Sequence, residues 1–465
     1  MNSTTDYVTA TPGRVHDVES NARRLGFLYS LEVGISRLIG SWIHRAPELP
    51  EKLLLARVLF EDADHALSLE SRMRELRVPE EAFSAMRQRT CRAFKVLEET
   101  TDAEAFSAAL LRVVKPALVA EYTKHVMAAP PYVDDPTVRI LRRTILEEQE
   151  HIARGLALLS ERGTTWDSHL AIEAEVRASL WNLDAEHGGL QVGEFVGREP
   201  LSISRPAWPA QVEHLPYRMA MPPYPDSFDE AMQRLAHDLV FSETEALDIF
   251  GRYVYEFQEF PWQFSQEAAR IAWDEARHVE LLLNVLERYG GHVGQFPAKS
   301  PGYEEYVSQP TTIEKIIMVN VIAEGEVSTD TQTQHRDSFR ELGDDLSAIL
   351  KDYEMADEVS HGRFGLRWAQ WLVENTDADY DAAYVKARAS LEEFKSMHDD
   401  EDSESPIPLV RLGIDETGPR RKVNLEAKKL VGFSDEEIAR LEDEAAGGRP
   451  HLSSSKDSSE KRPFE

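Results

Sequence analysis

Apolar residues return at helical spacing along most of the chain, and several stripes carry a carboxylate or a histidine in place of another apolar side chain. From Leu25, positions Leu28, Ile35 and Ile39 share one stripe with Glu32, which predicts an amphipathic helix with a carboxylate turned inward. The Pro47 to Pro50 segment ends it, and a long helix from about Glu51 to Leu76 follows, with Asp62 and His65 three residues apart. After Pro79 a helical stretch runs to about Glu98. The next one, through Leu110, Leu111, Val114, Leu118 and Glu121, is interrupted by Pro116, which removes a backbone donor and so kinks the helix or starts a new one. Pro130-Pro131 closes this segment, Thr137 to Leu159 is a helix carrying Glu148 and His151, and a last helix spans about Trp166 to Ala185.

Between about Val192 and Asp226 the pattern stops, and Pro200, Pro206, Pro209, Pro216, Pro222, Pro223 and Pro225 predict an extended connector. From Phe228 the same order begins again. A helix holds Leu239, Glu243, Ala246, Phe250 and Tyr253; Pro261 breaks it; helices bearing Glu275/His278, Glu324 and Glu358/His361 follow. Arg177-Ala178-Ser179-Leu180 returns as Arg388-Ala389-Ser390-Leu391. The pairs His65/His278, Glu121/Glu324, His151/His361 and Arg177/Arg388 are all separated by 203 to 213 residues, so the spacing implies an internal duplication. The expected organisation is an all-α chain: a disordered tail over 1–21, a first bundle over 22–190, a proline-rich connector over 191–227, a second bundle over 228–398, and an acidic, mostly disordered tail over 399–465 with one short helix near Asp435–Ala446 and no chemistry.

Charge and cysteine content narrow the chemistry. A net charge of −31 repels phosphate backbones and anionic lipid, which argues against nucleic-acid or membrane partners. Cys91 is the single cysteine, so disulfides within the chain, thiolate zinc sites and iron–sulfur clusters are excluded, and any metal must sit on histidine and carboxylate. Met1 to Arg24 has no apolar signal region and no run of 18 apolar residues occurs, so the expected location is the cytoplasm.

Two acids in a row, the second three residues before a histidine, occur four times: Glu61-Asp62/His65, Glu147-Glu148/His151, Asp274-Glu275/His278 and Asp357-Glu358/His361. At this acid content chance alone gives about 0.5 such motifs, so the set is a signal where one copy is not. Residues i and i+3 share a helix face, so each motif aims a carboxylate and an imidazole at one point. A di-metal carboxylate bundle needs a Glu from each of two helices and a Glu-x-x-His from each of two others. That order appears twice, as Glu32, Asp62/His65, Glu121, Glu148/His151 and as Glu243, Glu275/His278, Glu324, Glu358/His361. Four carboxylates balance two divalent cations, and oxygen with imidazole suits iron or manganese. Glu61, Glu147, Asp274 and Asp357 are placed to orient the histidines, because a metal-bound imidazole donates its other N–H to a carboxylate.

This arrangement resembles the ferritin-like di-iron carboxylate superfamily. Asp274-Glu275-Ala276-Arg277-His278 is similar to the Asp-Glu-x-Arg-His segments of its multicomponent monooxygenase and ribonucleotide reductase small-subunit branches. The resemblance implies two tandem ferritin-like four-helix bundles, each with an additional helix, with Glu275, His278, Glu358 and His361 as ligands and the preceding acids behind them. It implies iron, or di-manganese or a mixed pair, and an oxidoreductase that uses O₂ or peroxide to hydroxylate, N-oxygenate or desaturate a small organic substrate, with an external electron donor and a homo-oligomer both open. The alternative is a ferritin- or rubrerythrin-like protein for iron handling or peroxide protection; a third is a scaffold in which one bundle has no catalytic task.

The first repeat departs from the pattern: Asp62 stands where Glu is usual, Glu61 competes with it as ligand, the Glu121 to Glu148 connection is short, and Pro116 intervenes. Asp is one methylene shorter, which withdraws the carboxylate by roughly 1.5 Å. The second repeat is therefore expected to carry the chemistry, with Glu243, Glu275, His278, Glu324, Glu358 and His361 as its catalytic set, and the first to be degenerate or mainly structural. Glu245 shares a face with Asp248 and Arg252 and is expected to be solvated. Glu324 is preferred to Glu326 because Ala323-Glu324 aligns with Ala120-Glu121. His125 is read as structural, and Tyr122, Tyr353 and the tryptophans as core or rim.

Overall fold

The computed structural model describes residues 16–130, 132–181, 191–192, 205–219, 221–396 and 423–445. Residues 1–15 of the tail expected over 1–21, residues 399–422 and 446–465 of the C-terminal tail, and 193–204 and 220 of the expected connector lie outside these residues, while Val18–Asn21 begin a helix. The described chain is all-α. A two-residue antiparallel pairing, β1 (Arg89–Thr90) with β2 (Gln191–Val192), is the one sheet among the described residues.

In the first half, α1 (Val18–Ile43) starts where the Asp17 carboxylate accepts the Ser20 N–H at 2.7 Å. It is buried on every face from Leu25 to Ile43, as suits a helix surrounded by others. α2 (Leu49–Glu75) begins with Pro50 in its first turn, where a missing N–H costs nothing. The stretch after Pro79 forms two short helices, α3 (Glu80–Arg87) and α4 (Arg92–Glu99), with β1 between them. α5 (Ala103–Ala109) runs through a π-helical turn, Leu110–Val114, into α6 (Lys115–Ala128). Pro116 therefore falls in the first turn of α6, and the irregularity it requires is the π turn just before it. α7 (Asp135–Glu161) and α8 (Leu170–Ala178) complete this half, with α1 packed on α2 and α7 against both α2 and α6.

In the second half, α9 (Phe228–Glu256) and α10 (Trp262–Arg288) are followed by α11 (Pro301–Ser308) and α12 (Thr312–Ile316). A π-helical segment, Ile317–Ser328, then leads into α13 (Thr329–Glu341), α14 (Asp345–Asn375) and α15 (Tyr380–Ser396). Both the π-helical segment and α13 pack on α14. The expected short helix near the C-terminus is present as Asp435–Ala445, and a second one, Leu425–Val431, precedes it; these are α17 and α16. By internal packing the described residues fall into two compact units, 1–210 with 246–276, and 211–245 with 277–465.

The first unit holds a buried neutral histidine with a pH consequence. His125 Nε2 lies 2.7 Å from Asn21 Oδ1, an amide oxygen that only accepts, so the ring nitrogen donates. Burial first, then nearby His16 and Arg24, hold the imidazole down to about 3. The unfolded chain takes up this proton near pH 6.5 and the folded chain does not, so stability present above 6.5 is lost as pH falls towards 3. Each such group adds about 1.4 kcal/mol per pH unit to the slope within that window. We expect His125→Gln to flatten the acid limb of unfolding free energy against pH by about that slope between pH 6 and 4. Parallel limbs for the two proteins would refute it.

Candidate metal centres

In the first unit, helices α1, α2 and α7 bring Glu32, Asp62, His65 and Glu148 together, all buried, with candidate ligand atoms within 4.8 Å of one another. His65 Nδ1 faces Glu32 Oε1 at 3.4 Å and Glu148 Oε1 at 3.7 Å. His151 Nδ1 faces Asp62 Oδ1 at 3.7 Å and Glu148 Oε1 at 3.8 Å. The other nitrogen of each ring turns outward to the acid that precedes the opposite motif: His65 Nε2 to Glu147 Oε2 at 2.6 Å, and His151 Nε2 to Glu61. Each outer acid is in turn held by an arginine, Arg57 on Glu61 at 2.9 Å and Arg143 on Glu147 at 3.5 Å. The choice between Glu61 and Asp62 is thereby resolved: Asp62 is the inward carboxylate.

Glu121 is not in this group. Its Oε1 accepts from Lys124 at 2.6 Å, because α6 is regular α-helix at this level and turns Glu121 away from the cluster. The group that enters instead is Lys115. Its Nζ lies 2.5 and 2.6 Å from the two oxygens of Asp62 and 2.8 Å from Glu148 Oε1, and its side chain is fully buried. Burial alone would lower the ammonium, but Asp62, Glu148 and Glu32 outweigh it and raise it above its ordinary value. Burial pushes Asp62 up to about 6 against the pull of Lys115. His65 also has burial against it, and its bonds to Glu147 and Glu32 hold it up to about 10. The Tyr122 hydroxyl donates to Glu32. The sequence reading placed Tyr122 only as core or rim and passed over Lys115, although a lysine beside Val113-Val114 in an apolar run is a visible anomaly.

The second centre is built alike. Glu275, Glu324, Glu358 and His361 form one group with candidate ligand atoms within 4.8 Å, and Glu243, His278 and Glu358 form another, so Glu358 belongs to both. His278 Nδ1 faces Glu243 Oε2 at 3.7 Å, while its Nε2 lies 3.2 Å from Asp357 Oδ2, which Arg277 holds at 2.9 Å. His361 Nδ1 lies 3.5 Å from Glu358 Oε2 and 3.9 Å from Glu324 Oε2. Asp274 is held by Arg270 at 2.8 Å. The two imidazole rings stand 6.4 Å apart in both centres.

Glu324 sits inside the π-helical segment, whose i→i+5 bonding leaves main-chain carbonyls out of α-helical pairing. Lys428 of α16 reaches in: its Nζ donates to Gly325 O at 3.1 Å, Glu326 O at 2.9 Å and Thr329 Oγ1 at 2.5 Å, and pairs with Asp330 at 2.9 Å. The C-terminal segment, expected to carry no chemistry, thus secures the helix that carries Glu324. Glu326 points elsewhere, accepting from Tyr384 Oη at 2.7 Å and Arg440 at 3.2 Å and pairing with Arg388.

Glu245 is a correction. It is buried and accepts the Tyr303 N–H at 3.3 Å, and Asp248 is buried against Lys52 Nζ at 2.5 Å, so the face expected to meet solvent is covered. Of the two places expected for Tyr353, core or rim, the structure excludes the core, since its side chain is exposed.

Residues 168–401, half of the chain, match the family described as "Protein of unknown function (DUF455)", and that span contains all six candidate residues of the second centre and none of the first. No curated protein and no solved structure matches the chain. The chain belongs to the DUF455 family.

Proposed function

We propose that the chain is a non-haem di-metal oxidoreductase, with iron as first choice and manganese as the alternative, built on two tandem ferritin-like bundles and working at the second centre. The observation that carries this reading is that four buried carboxylates and two imidazoles are sorted into two ligand groups sharing Glu358. Shared membership would let Glu358 serve as a donor to either group. An unpaired buried carboxylate costs several kcal/mol, roughly, and two divalent cations would neutralise four of them.

The donor set fits such a pair, with Glu243 and His278 on one side, Glu275, Glu324 and His361 on the other, and Glu358 common to both. Bound there, the metals would supply electron transfer to O₂ or peroxide and Lewis acidity towards substrate. The protein's own part is orientation. Asp357 fixes the His278 ring by its bond to Nε2, which presents Nδ1 inward, and Arg277 holds Asp357 in turn. Lys428 ties down the main chain on either side of Glu326, so that Glu324 stays on the inner face.

The test is anaerobic loading with Fe(II), removal of free metal, and admission of O₂ with optical and oxygen-electrode recording. The expected result is O₂ consumption that ends with the bound metal and vanishes in His278→Ala. A chain that retains no Fe(II) would overturn the reading. Iron oxidation that continues with added Fe(II) far beyond the bound amount would assign the centre to iron handling instead.

A further inference from the structure

Lys115 and Tyr122 answer the Asp62 oxygens, Glu148 Oε1 and Glu32 Oε1 without metal, while Glu32 Oε2, Glu148 Oε2, His65 Nδ1 and His151 Nδ1 are buried with no hydrogen-bond partner. Glu32, Asp62 and Glu148 supply three inward carboxylates. The Lys115 ammonium has three N–H groups, and the three oxygens around it are the two of Asp62 at 2.5 and 2.6 Å and Glu148 Oε1 at 2.8 Å. Tyr122 donates to Glu32, and His65 lies between Glu32 and Glu147. A divalent ion here would need these same oxygens at about 2.0–2.2 Å, which sets it against an ammonium already bonded to them. The first centre as folded does not fit a metal pair.

The register of the duplication shows how the ammonium arrived. Gly155 and Gly365 each stand four residues after the histidine of their motif, His151 and His361. A Cβ built on Gly155 would meet Leu111 Cδ1 at 2.4 Å, and one on Gly365 would meet Asn320 Cβ at 2.5 Å. Both contacts are with π-helical turns, so Leu111 and Asn320 are equivalent. Four residues on from them stand Lys115 and Glu324. The cation therefore occupies the place of the fourth carboxylate, and Glu121, aligned with Glu324 by its Ala-Glu pair, is a turn and a half too late in the helix.

We propose that the first centre is a metal-free one closed by Lys115, which takes the place of both a ligand and the cations. This stands apart from the oxidoreductase reading, since it concerns the repeat that reading leaves without chemistry. The proposal makes the first centre a buried polar core, and it makes metal binding there recoverable by one substitution.

The experiment is equilibrium dialysis of the full-length chain against Fe(II) under anaerobic conditions, with elemental analysis, and thermal unfolding with and without metal. Five proteins are compared: the wild type, His278→Ala/Glu358→Ala, and that double variant carrying in addition Asp62→Ala/His65→Ala, Lys115→Glu or Lys115→Met. We expect the double variant to bind no metal above a chain that also carries Asp62→Ala/His65→Ala, and Lys115→Glu to restore binding together with a metal-dependent rise in Tm of roughly 5 °C or more. Metal retained by the double variant with Lys115 intact, and lost on Asp62→Ala/His65→Ala, overturns the proposal. This comparison decides it even where Lys115→Glu fails to fold. A folded Lys115→Glu chain that binds nothing, with Lys115→Met also binding nothing, overturns it too. A wild type that binds no metal while Lys115→Glu binds it would sink the second-centre reading and leave this one standing.

Discussion

Glu358→Ala is expected to lower the Fe(II) retained by the chain more than tenfold, and Asp357→Asn to lower it by roughly 10- to 100-fold with the centre otherwise intact. The two variants fail for different reasons. Glu358 is the carboxylate common to both candidate ligand groups, so on the proposed reading its loss would remove a donor from each cation at once. Asp357 touches no candidate ion; it accepts from His278 Nε2 at 3.2 Å, and the amide that replaces it carries no charge to hold the ring or to pair with Arg277 at 2.9 Å. The ring is then free to present the wrong tautomer. Glu61→Gln in the first centre makes the same change to His151, and under the Lys115 proposal it leaves retained metal unaltered. Titration with Fe(II) under anaerobic conditions measures all three. Wild-type retention in Glu358→Ala would place the metal outside the second centre.

The helical class, the duplication and the four acid-acid-x-x-His motifs were legible because they rest on local periodicity: i and i+3 share a face whatever the helix packs against. Eleven of the twelve candidate ligands lie in the two centres, and Glu121 does not. Glu121 and Glu324 look equivalent in a linear alignment, but a π turn adds a residue without changing the hydrophobic pattern, and each such turn rotates everything that follows it. In the packing register Glu324 corresponds to Lys115, each four residues on from the π-turn residue that meets the glycine after the motif histidine, so Glu121 lies six residues further along a regular α-helix and pairs with Lys124. Glu324 was thus identified through an alignment that the structure does not support. Lys115 was passed over because a search for ligands counts donors to a metal, and a lysine is what a metal-free centre uses in its stead. Glu245 and Asp248 were misplaced for another reason: an acidic helical face reads as solvated unless the partners that cover it, here Tyr303 and Lys52, are known.

Asp248→Ala is expected to cost about 3–5 kcal/mol, the largest loss among single substitutions away from the two centres. Lys52 and Asp248 are both fully buried, with Nζ 2.5 Å from Oδ1, and Lys52 also donates to Ile43 O at 2.8 Å. Burial lowers the Lys52 ammonium and pushes the Asp248 carboxyl up to about 7, so each remains ionised chiefly through the other. Removing the carboxylate strands a cation beside Arg252, another buried positive group. Removing both charges is a different matter, because taking an ion pair out of water costs about as much as its attraction returns. Lys52→Met/Asp248→Leu should therefore lie within about 1 kcal/mol of the wild type or above it. The midpoint of urea unfolding, followed by tryptophan fluorescence, separates the cases: a double variant no better than Asp248→Ala would mean that the pair itself, and not the stranded charge, supplies the stability.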